Sequence, residues 1–202
     1  MIALCGKSGS GKNSTQDALV NRGMERIITY TTRPMRPGEI DGVTYHFISV
    51  EEFLQKRESG FFLESTSYFP ASGGEWFYGT NADDFRLNGV LILNPSGVKA
   101  LTPELREKYE IIVIYLNCPE DMLRERLINR GDDPSEVGRR LKADQVDFAE
   151  LGVCGEDVHR IDICFPVRPW HTIDHIAQKA LREHNERENI LWFRRMANSE
   201  NI

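Results

Sequence analysis

The stretch GKSGSGK, residues 6–12, decides the fold class of this 202-residue chain. It follows a short apolar run at residues 2–5 and precedes a segment with a helical pattern at residues 14–21. Glycines let successive backbone N–H groups turn inward around phosphate oxygens, and the helix start adds its unpaired donors. The closing lysine supplies a mobile positive charge for the terminal phosphates of a nucleotide. The sequence therefore predicts a phosphate-binding loop, called here the P-loop, between a strand and a helix.

The residues expected to hold the donor phosphates are those of the P-loop and the first helical positions: Gly6, Ser8, Gly9, Ser10, Gly11, Lys12, Asn13 and Ser14. Asn13 stands where this motif commonly has a serine or threonine whose hydroxyl binds Mg²⁺. Because Mg²⁺ keeps several waters and can be held mainly by phosphates, a nucleoside triphosphate with Mg²⁺ stays the expected ligand, with the protein's metal ligands unassigned. The alternatives are a chance glycine–serine turn and a genuine but inactive phosphate cradle.

Composition narrows the classes of partner. The net charge of −6 argues against general binding of nucleic acid or of an anionic membrane, although a local basic pocket stays possible. No apolar run approaches the length of a membrane span, and the strand-like start leaves no room for a signal peptide. The four cysteines lack zinc-site spacing, and three of them end or follow apolar runs, where buried thiols are expected. A reduced, cytoplasmic protein is the expectation.

Strand-like and helix-like segments alternate along the chain. Residues 90–93 and 111–116 are continuous apolar runs, as in strands covered on both faces of a parallel sheet. Other strands are expected at residues 27–32, 61–64 and 161–165, with a loop or hairpin at 65–80. Helix starts are expected after Ser49, at Pro95, Pro103 and Pro119, after Asp133, and in the tail at 172–196. The pattern predicts an α/β fold with a mostly parallel sheet.

Residues 31–47, TTRPMRPGEIDGVTYHF, resemble the TTRxxRxGExxGxxYxF signature of the guanylate kinase family. Further segments resemble the family in its order: Phe62-Leu63-Glu64, Tyr78-Gly79-Thr80, Gly97-Val98-Lys99, residues 126–131 and Arg140-Leu141. The resemblance covers roughly residues 2–165. It implies a three-layer P-loop fold in a single unit, 1–202. The core would comprise about 1–32, 84–125 and 143–202, with a small acceptor-binding subdomain at about 33–83 and a helical lid at about 126–142.

The resemblance also implies an activity, the transfer of the γ-phosphoryl group of ATP to GMP or dGMP. Four matching positions imply the acceptor phosphate site: Arg33, Arg36, Tyr45 and Tyr78. Guanidinium forks and phenol hydroxyls suit a phosphate dianion. The other interpretation of Arg33 and Arg36 is a pair of solvated turn residues.

Base recognition is implied at four further positions, Thr29, Glu64, Thr80 and Asn94. An ionised carboxylate only accepts hydrogen bonds, so Glu64 would complement the N1–H and N2–H₂ donors of guanine. The alternative for Glu64 is a surface carboxylate at a strand end. Catalytic roles are implied for Lys12, Arg126, Arg130 and Arg140, where the alternative for the arginines is a solvated basic helix face.

The chain departs from the family pattern in metal and base contacts. Ile92 and Asn94 stand where the family has two aspartates, and Asn13 stands at the usual hydroxyl position. The stretch from Glu64 to Tyr78 is a few residues longer than usual, and the family's Asn-Asp after the last strand is replaced around Phe165-Pro166. Two alternatives therefore stay open: a kinase for another nucleoside monophosphate, and a catalytically weak guanylate-kinase-like binding domain.

The tail carries a second apolar cluster, Ile190-Leu191-Trp192-Phe193, after a charged run. Two interpretations stand side by side. The cluster rests on the same molecule as a frayed end, or it forms a homodimer contact, since an exposed aromatic cluster favours burial.

Overall fold

The computed structural model describes residues 1–69, 73–149, 151, 161–169 and 171–199, with the backbone alone from residue 190 onward. The strands are β1 (Ile2–Cys5), β2 (Glu25–Arg26), β3 (Tyr30–Thr31), β4 (His46–Phe47), β5 (Glu64–Tyr68), β6 (Trp76–Thr80), β7 (Gly89–Ile92), β8 (Ile112–Asn117) and β9 (Ile163–Pro166). The α-helices are α1 (Lys12–Val20), α2 (Val50–Glu58), α3 (Pro95–Ala100), α4 (Pro103–Lys108), α5 (Glu120–Asn129), α6 (Pro134–Ala149) and α7 (Ile173–Ser199). A 3₁₀ turn spans Ala82–Asp84.

The central sheet has the strand order β2-β7-β1-β8-β9, and every pairing in it is parallel. Strand β1 lies in the middle, with Ile2 opposite both Val90 and Ile112. Its side chains alternate between two buried clusters, since Ile2 and Leu4 pack on one face while Ala3 and Cys5 pack on the other. Helices cover both faces, which explains the continuous apolar runs and confirms the predicted three-layer α/β fold.

Each face of the sheet is covered by its own set of elements. The first cluster joins the sheet to α1, α5 and α7 through Leu19, Leu123 and Ile176. The second joins it to the segment before β7, to α3 and to the end of α6 through Phe85, Val98 and Phe148. This rigid frame presents the P-loop at the carboxyl end of β1, where ligands bind in open α/β sheets.

A second sheet of four short strands has the order β4-β3-β6-β5. Strands β5 and β6 form an antiparallel hairpin with three cross-strand pairs on one face: Glu64 with Thr80, Thr66 with Tyr78, and Tyr68 with Trp76. Strands β4, β5 and β6 lie within the segment predicted as the acceptor-binding subdomain, 33–83, while β3 lies just before it, in the segment predicted as core. The predicted lid boundary near residue 142 falls inside α6, which continues unbroken to Ala149.

Two strand predictions were wrong in their limits. Residues 27–32 do not form one strand, because the chain leaves the central sheet after Arg26 and enters the second sheet at Tyr30. Residues 61–63 are not in a strand either, since β5 begins at Glu64; the Phe61 and Phe62 rings pack against Tyr30, and Phe62 also stacks on Phe53. Helix starts were predicted better, since Ser49 and Asp133 both cap their helices through side-chain oxygens.

Cysteine burial follows the prediction in part. Cys5 and Cys118 are buried, Cys164 is exposed on β9, and Cys154 lies outside the described residues. Within the described ranges, no helix combines the length and apolarity that crossing a bilayer requires. The helical prediction for the tail is confirmed by α7. The side chains of the apolar cluster at 190–193 lie outside the described set, so the homodimer contact stays a prediction.

Candidate nucleotide-binding site

The P-loop owes its shape to glycines with left-handed backbone angles. Gly9 has φ of +81° and Gly11 has φ of +98°. A Cβ on Gly9 would lie 3.1 Å from the carbonyl oxygen of Leu123 and 3.2 Å from Leu127 Cγ. Both the backbone angle and the close approach of α5 therefore require glycine at this position.

Lys12, at the start of α1, turns back over the P-loop. Its Nζ donates to the carbonyl oxygens of Gly6 at 2.6 Å and Lys7 at 3.0 Å. Burial lowers the pKa of Lys12, and the carboxylate of Asp144 opposes that effect. The amine is thus held at the mouth of the loop, where an incoming phosphate can exchange for the carbonyl contacts.

A carboxylate from α6 occupies part of the anion cradle. Asp144 Oδ2 accepts a hydrogen bond of 2.6 Å from the backbone N–H of Ser8. Charged acceptors form short, strong bonds with such donors. Asp144 therefore sits where a phosphate oxygen of a bound nucleotide would take the same N–H group.

A cavity of about 670 Å³ lies between the P-loop, the second sheet and α6. This volume is within the ordinary range for small-molecule sites. Ten predicted site residues line it: Ser8, Asn13, Thr29, Arg36, Tyr45, Glu64, Tyr78, Thr80, Asn94 and Arg140. A smaller adjoining cavity of about 200 Å³ shares Ser8 and Asn94 with it and adds Gly6 and Lys12. The structure thus brings donor-site and acceptor-site predictions to one continuous space.

Glu64 and Thr80 form one end of the large cavity. Thr80 Oγ1 donates to Glu64 Oε1 at 2.9 Å, while Ser96 Oγ lies 3.3 Å from Glu64 Oε2. Burial raises the pKa of Glu64, and the two hydroxyl hydrogen bonds oppose this rise. Ser96 Oγ also lies 2.9 Å from Asn94 Oδ1, so its single proton is shared between two acceptors. This end of the cavity offers mainly hydrogen-bond acceptors to a ligand.

Asn94 has a structural role that the sequence interpretation missed. It is the N-cap of α3, with Oδ1 accepting from Gly97 N at 2.8 Å, while its Nδ2 donates to Thr66 Oγ1 at 3.1 Å. An Asn-Pro-x-Gly pattern is an N-cap followed by proline at the first helical position, so the signal was present. The amide contributes to the cavity wall while it fixes the entry of α3.

Two tyrosines and one arginine, Tyr45, Tyr78 and Arg36, line another part of the large cavity. The Tyr45 and Tyr78 rings lie 6.4 Å apart, and Arg36 is exposed beside them at the cavity wall. Arg33 is only 5% exposed and is not part of that wall. Its guanidinium forms a bidentate pair with Glu39, at 2.7 and 3.0 Å. Arg33 thus lies against the ring of Tyr45, with its guanidinium carbon 5.5 Å from the ring centroid.

The three predicted lid arginines occupy different positions. Arg140 lines the cavity and pairs with Glu136 and with Asp132. Arg130 is held outside the cavity wall by the same Asp132 carboxylate, with Nε 3.0 Å from Oδ1. Arg126 lies behind the P-loop, with Nη1 3.4 Å from the carbonyl oxygen of Gly9. One carboxylate therefore holds two of the three guanidinium groups.

The donor set beside the P-loop fits a metal ion that is held mainly through phosphates. Within the described ranges, no group of three or more histidine, cysteine or acidic side chains forms a metal cage. Ile92 offers no donor, while Asn13 is exposed and lines the cavity with an amide oxygen. Mg²⁺ binds with few protein oxygens when phosphates and water supply the rest, so Asn13 can hold it.

Several cavity residues were not predicted as site residues. They are Thr66, Tyr68, Trp76, Ser96 and Asp144. The period of two along β5 places Thr66 and Tyr68 on the face of Glu64, so strand alternation was an available signal. Asp144 follows Arg140 by four residues and shares its helix face, a signal that spacing alone carried.

A strand, a glycine-rich loop and a helix in a parallel sheet, facing a cavity with acceptor-type and cationic ends, define the class of P-loop α/β proteins. The sequence model of the guanylate kinase family matches residues 1–151. The chain belongs to the guanylate kinase family.

Named relatives agree with this assignment. A guanylate kinase of Pseudomonas fluorescens (strain Pf0-1) is 37% identical over 150 residues, covering 67% of this chain and 68% of that protein. One of Paraburkholderia xenovorans (strain LB400) is 34% identical over 145 residues, covering 67% of this chain but only 61% of the relative. The crystal structure of guanylate kinase from Anaplasma phagocytophilum superimposes with a TM-score of 0.64 over 93% of this chain and 85% of that chain, at 21% identity. The last comparison supports the fold.

Proposed function

We propose that this chain is a nucleoside monophosphate kinase that transfers the γ-phosphoryl group of ATP to GMP or dGMP, giving ADP and GDP or dGDP. The observation that carries the proposal is the common cavity of Glu64, Thr80 and the P-loop residue Ser8. A base reader and a phosphate cradle on one cavity suit a reaction that joins two nucleotides. Family membership supports the same activity.

The donor half of the site would be the P-loop and the start of α1. Inward N–H groups, Lys12 and the exposed amide of Asn13 would hold the β- and γ-phosphates of ATP together with Mg²⁺. When bound beside Asn13, Mg²⁺ would neutralise negative charge on the phosphates. Asp144 would release the Ser8 N–H group as the phosphate arrives, because both cannot accept the same hydrogen.

The acceptor half of the site would read both ends of GMP. Arg36, Tyr45 and Tyr78 would bind its phosphate, with Arg33 held against Tyr45 by its ion pair with Glu39. Glu64 would accept from N1–H and N2–H₂ of guanine, while Thr80, Thr29 and Asn94 would complete the base contacts. Adenine lacks that pair of adjacent donors, so the carboxylate favours guanine.

Transfer itself needs position and positive charge more than a nucleophilic side chain. An oxygen of the GMP phosphate would form the new bond to the γ-phosphorus as the bond to the β,γ-bridging oxygen breaks. Charge spreads over the moving group in the transition state. Lys12, Arg126, Arg130 and Arg140 would stabilise that charge, once phosphates replace Asp132 as the partner of Arg130 and Arg140. The cytoplasm, where both substrates are available, is the compartment we propose.

Release of ADP with a panel of monophosphates tests the proposal. The assay uses ATP, Mg²⁺ and equal concentrations of GMP, dGMP, AMP, CMP and UMP. We expect GMP or dGMP to give the highest rate. A higher rate with another monophosphate would establish a kinase of different acceptor specificity. Absence of turnover with every acceptor, combined with GMP binding by calorimetry, would establish the catalytically weak binding domain instead.

A further inference from the structure

The β5–β6 hairpin meets helix α6 through Tyr68, whose ring stacks on Trp76. Tyr68 and Trp76 are the cross-strand pair nearest the hairpin tip, and their rings stack with centroids 5.9 Å apart at 26°. Both side chains line the large cavity, on the same face as Glu64 and Thr80. Trp76 therefore supports the Tyr68 ring from within the second sheet.

The Tyr68 hydroxyl reaches three residues of α6. It hydrogen-bonds the carboxylate of Glu136 and the Nη2 group of Arg139, and Arg140 Nε donates to it at 3.0 Å. The guanidinium carbons of Arg139 and Arg140 lie 4.8 and 5.6 Å from its ring centroid. A single side chain of the hairpin thus engages the first half of α6 by both its hydroxyl and its ring.

Two guanidiniums, of Arg139 and Arg140, and two carboxylates, of Glu136 and Asp132, meet at this contact. The Arg139 and Arg140 guanidiniums, with the Tyr68 hydroxyl, hold the pKa of Glu136 at about 2, so its carboxylate stays ionised. Arg140 Nε lies 3.0 Å from Glu136 Oε1, and its Nη1 lies 3.2 Å from Asp132 Oδ2. The ion pairs of Glu136 with Arg139 and Arg140 join residues three and four positions apart on α6, and such pairs recur on exposed helices. Tyr68 differs because it lies 72 residues before Arg140 in the sequence and belongs to the second sheet.

We propose that Tyr68 is a positioning residue that joins the acceptor-binding sheet to α6 and holds Arg140 toward the cavity. The expected effect of Tyr68 on turnover rests on the proposed function, whereas its contact with α6 does not depend on that function. A guanidinium fixed before the substrates arrive loses less conformational freedom during the reaction. Tyr68 is the last residue of β5, so the end of this strand is where the second sheet meets α6.

Hydrogen–deuterium exchange of the nucleotide-free protein tests the contact without any turnover. The variant Tyr68→Phe keeps the ring and its stacking on Trp76 but removes the hydroxyl. We expect backbone exchange in residues 135–141 to rise at least threefold. The matched control is Tyr109→Phe, since Tyr109 is half-buried against Phe85 away from the cavity and should leave this exchange unchanged. Equal exchange in wild type and Tyr68→Phe would overturn the proposal.

A double-mutant cycle tests whether Tyr68 acts through Arg140. The single variant Tyr68→Phe should lower kcat about three- to tenfold with little change in KM for either nucleotide. In an Arg140→Lys background, which keeps the charge but lacks Nε, the same substitution should have almost no further effect. Multiplicative losses of kcat, or a loss confined to KM, would overturn the positioning role. Lack of turnover in the wild type would refute the proposed function, and the exchange experiment would still decide on the contact.

Discussion

At the scale of single residues, Glu64 combines a functional charge with an unfavourable environment. Burial raises its pKa above the usual 4.5, while Thr80 and Ser96 donate to its oxygens and oppose the rise. A carboxyl whose folded-state pKa is raised binds protons more tightly in the folded protein than in the unfolded chain. The ionised form therefore costs stability above that pKa, and the benefit is an acceptor-only group facing the cavity.

Replacement of Glu64 by glutamine separates these two effects. We expect Glu64→Gln to raise KM for GMP about ten- to hundredfold, because the amide presents a donor to a donor on guanine. AMP use should change much less, and the midpoint of urea unfolding at neutral pH should not fall. The control is Glu58→Gln on the exposed end of α2. Equal losses with GMP and AMP would contradict base reading by Glu64.

The ionisation of Glu64 also predicts a pH dependence. As pH falls through the raised pKa, Glu64 gains a proton and one of its oxygens becomes a donor. Affinity for GMP, measured by calorimetry, should therefore decrease on the acid side with an apparent pKa above 4.5. The same titration on Glu64→Gln should lack this limb. An identical limb in both proteins would assign it to another group.

Asp144 is a residue whose contact opposes the proposed ligand. Its carboxylate holds the Ser8 N–H group at 2.6 Å and must leave when a phosphate binds there. Removing the charge with Asp144→Asn should tighten ATP binding about three- to thirtyfold, within the range of one nearby charge at a partly exposed site. Asp121→Asn on the exposed start of α5 is the control. Unchanged or weaker binding in Asp144→Asn, measured by fluorescence titration, would contradict this competition.

At the scale of elements, local signals and long-range contacts were predictable to different degrees. The continuous apolar runs of β1, β7 and β8 and the caps at Ser49 and Asp133 depend only on neighbouring residues, so the sequence was sufficient to predict them. The break between β2 (Glu25–Arg26) and β3 (Tyr30–Thr31) was not predictable, because the two strands pair with β7 and β6, which lie far along the chain. The Tyr68 contact with α6 depends on such distant packing as well.

Helix α6 connects the two halves of the site. Glu136 in its first turn meets the hairpin, and Asp144 meets the P-loop. Eight residues of α-helix separate the two contacts by about 12 Å. Because α6 is unbroken between these residues, it sets the spacing between the hairpin contact and the P-loop contact.

Two glycines give opposite predictions for element stability. Gly138 lies within α6 and has open space where a Cβ would stand, so Gly138→Ala should stabilise the protein by about 0.5–1 kcal/mol. A Cβ on Gly79 in β6 would lie 2.8 Å from Phe62 Cδ1, and that ring is stacked on Phe53. Gly79→Ala should therefore destabilise by about 1–3 kcal/mol. Urea unfolding measures both, and shifts of the same sign would contradict the packing described for one of them.

At the scale of the whole molecule, the central sheet presents the P-loop, and the second sheet presents Glu64 and Thr80, to one cavity. Ten predicted site residues line the shared cavity, because family-like motifs on distant segments converge there. The positions of Arg33 and Arg130 were less predictable, since Glu39 and Asp132 determine where their guanidiniums lie. The proposed phosphoryl transfer requires two nucleotides in one cavity, and the two sheets around the cavity provide that arrangement.

Following the γ-phosphoryl group is the most direct test of the proposed transfer from ATP to GMP. ATP labelled at the γ-phosphorus is incubated with GMP, Mg²⁺ and the protein, and the labelled products are separated. Transfer from ATP to GMP predicts that the label appears in GDP. The variant Lys12→Ala should stay folded and should lower the amount of labelled GDP about 10²- to 10³-fold. Label released only as inorganic phosphate, or retained in ATP, would contradict the proposed transfer.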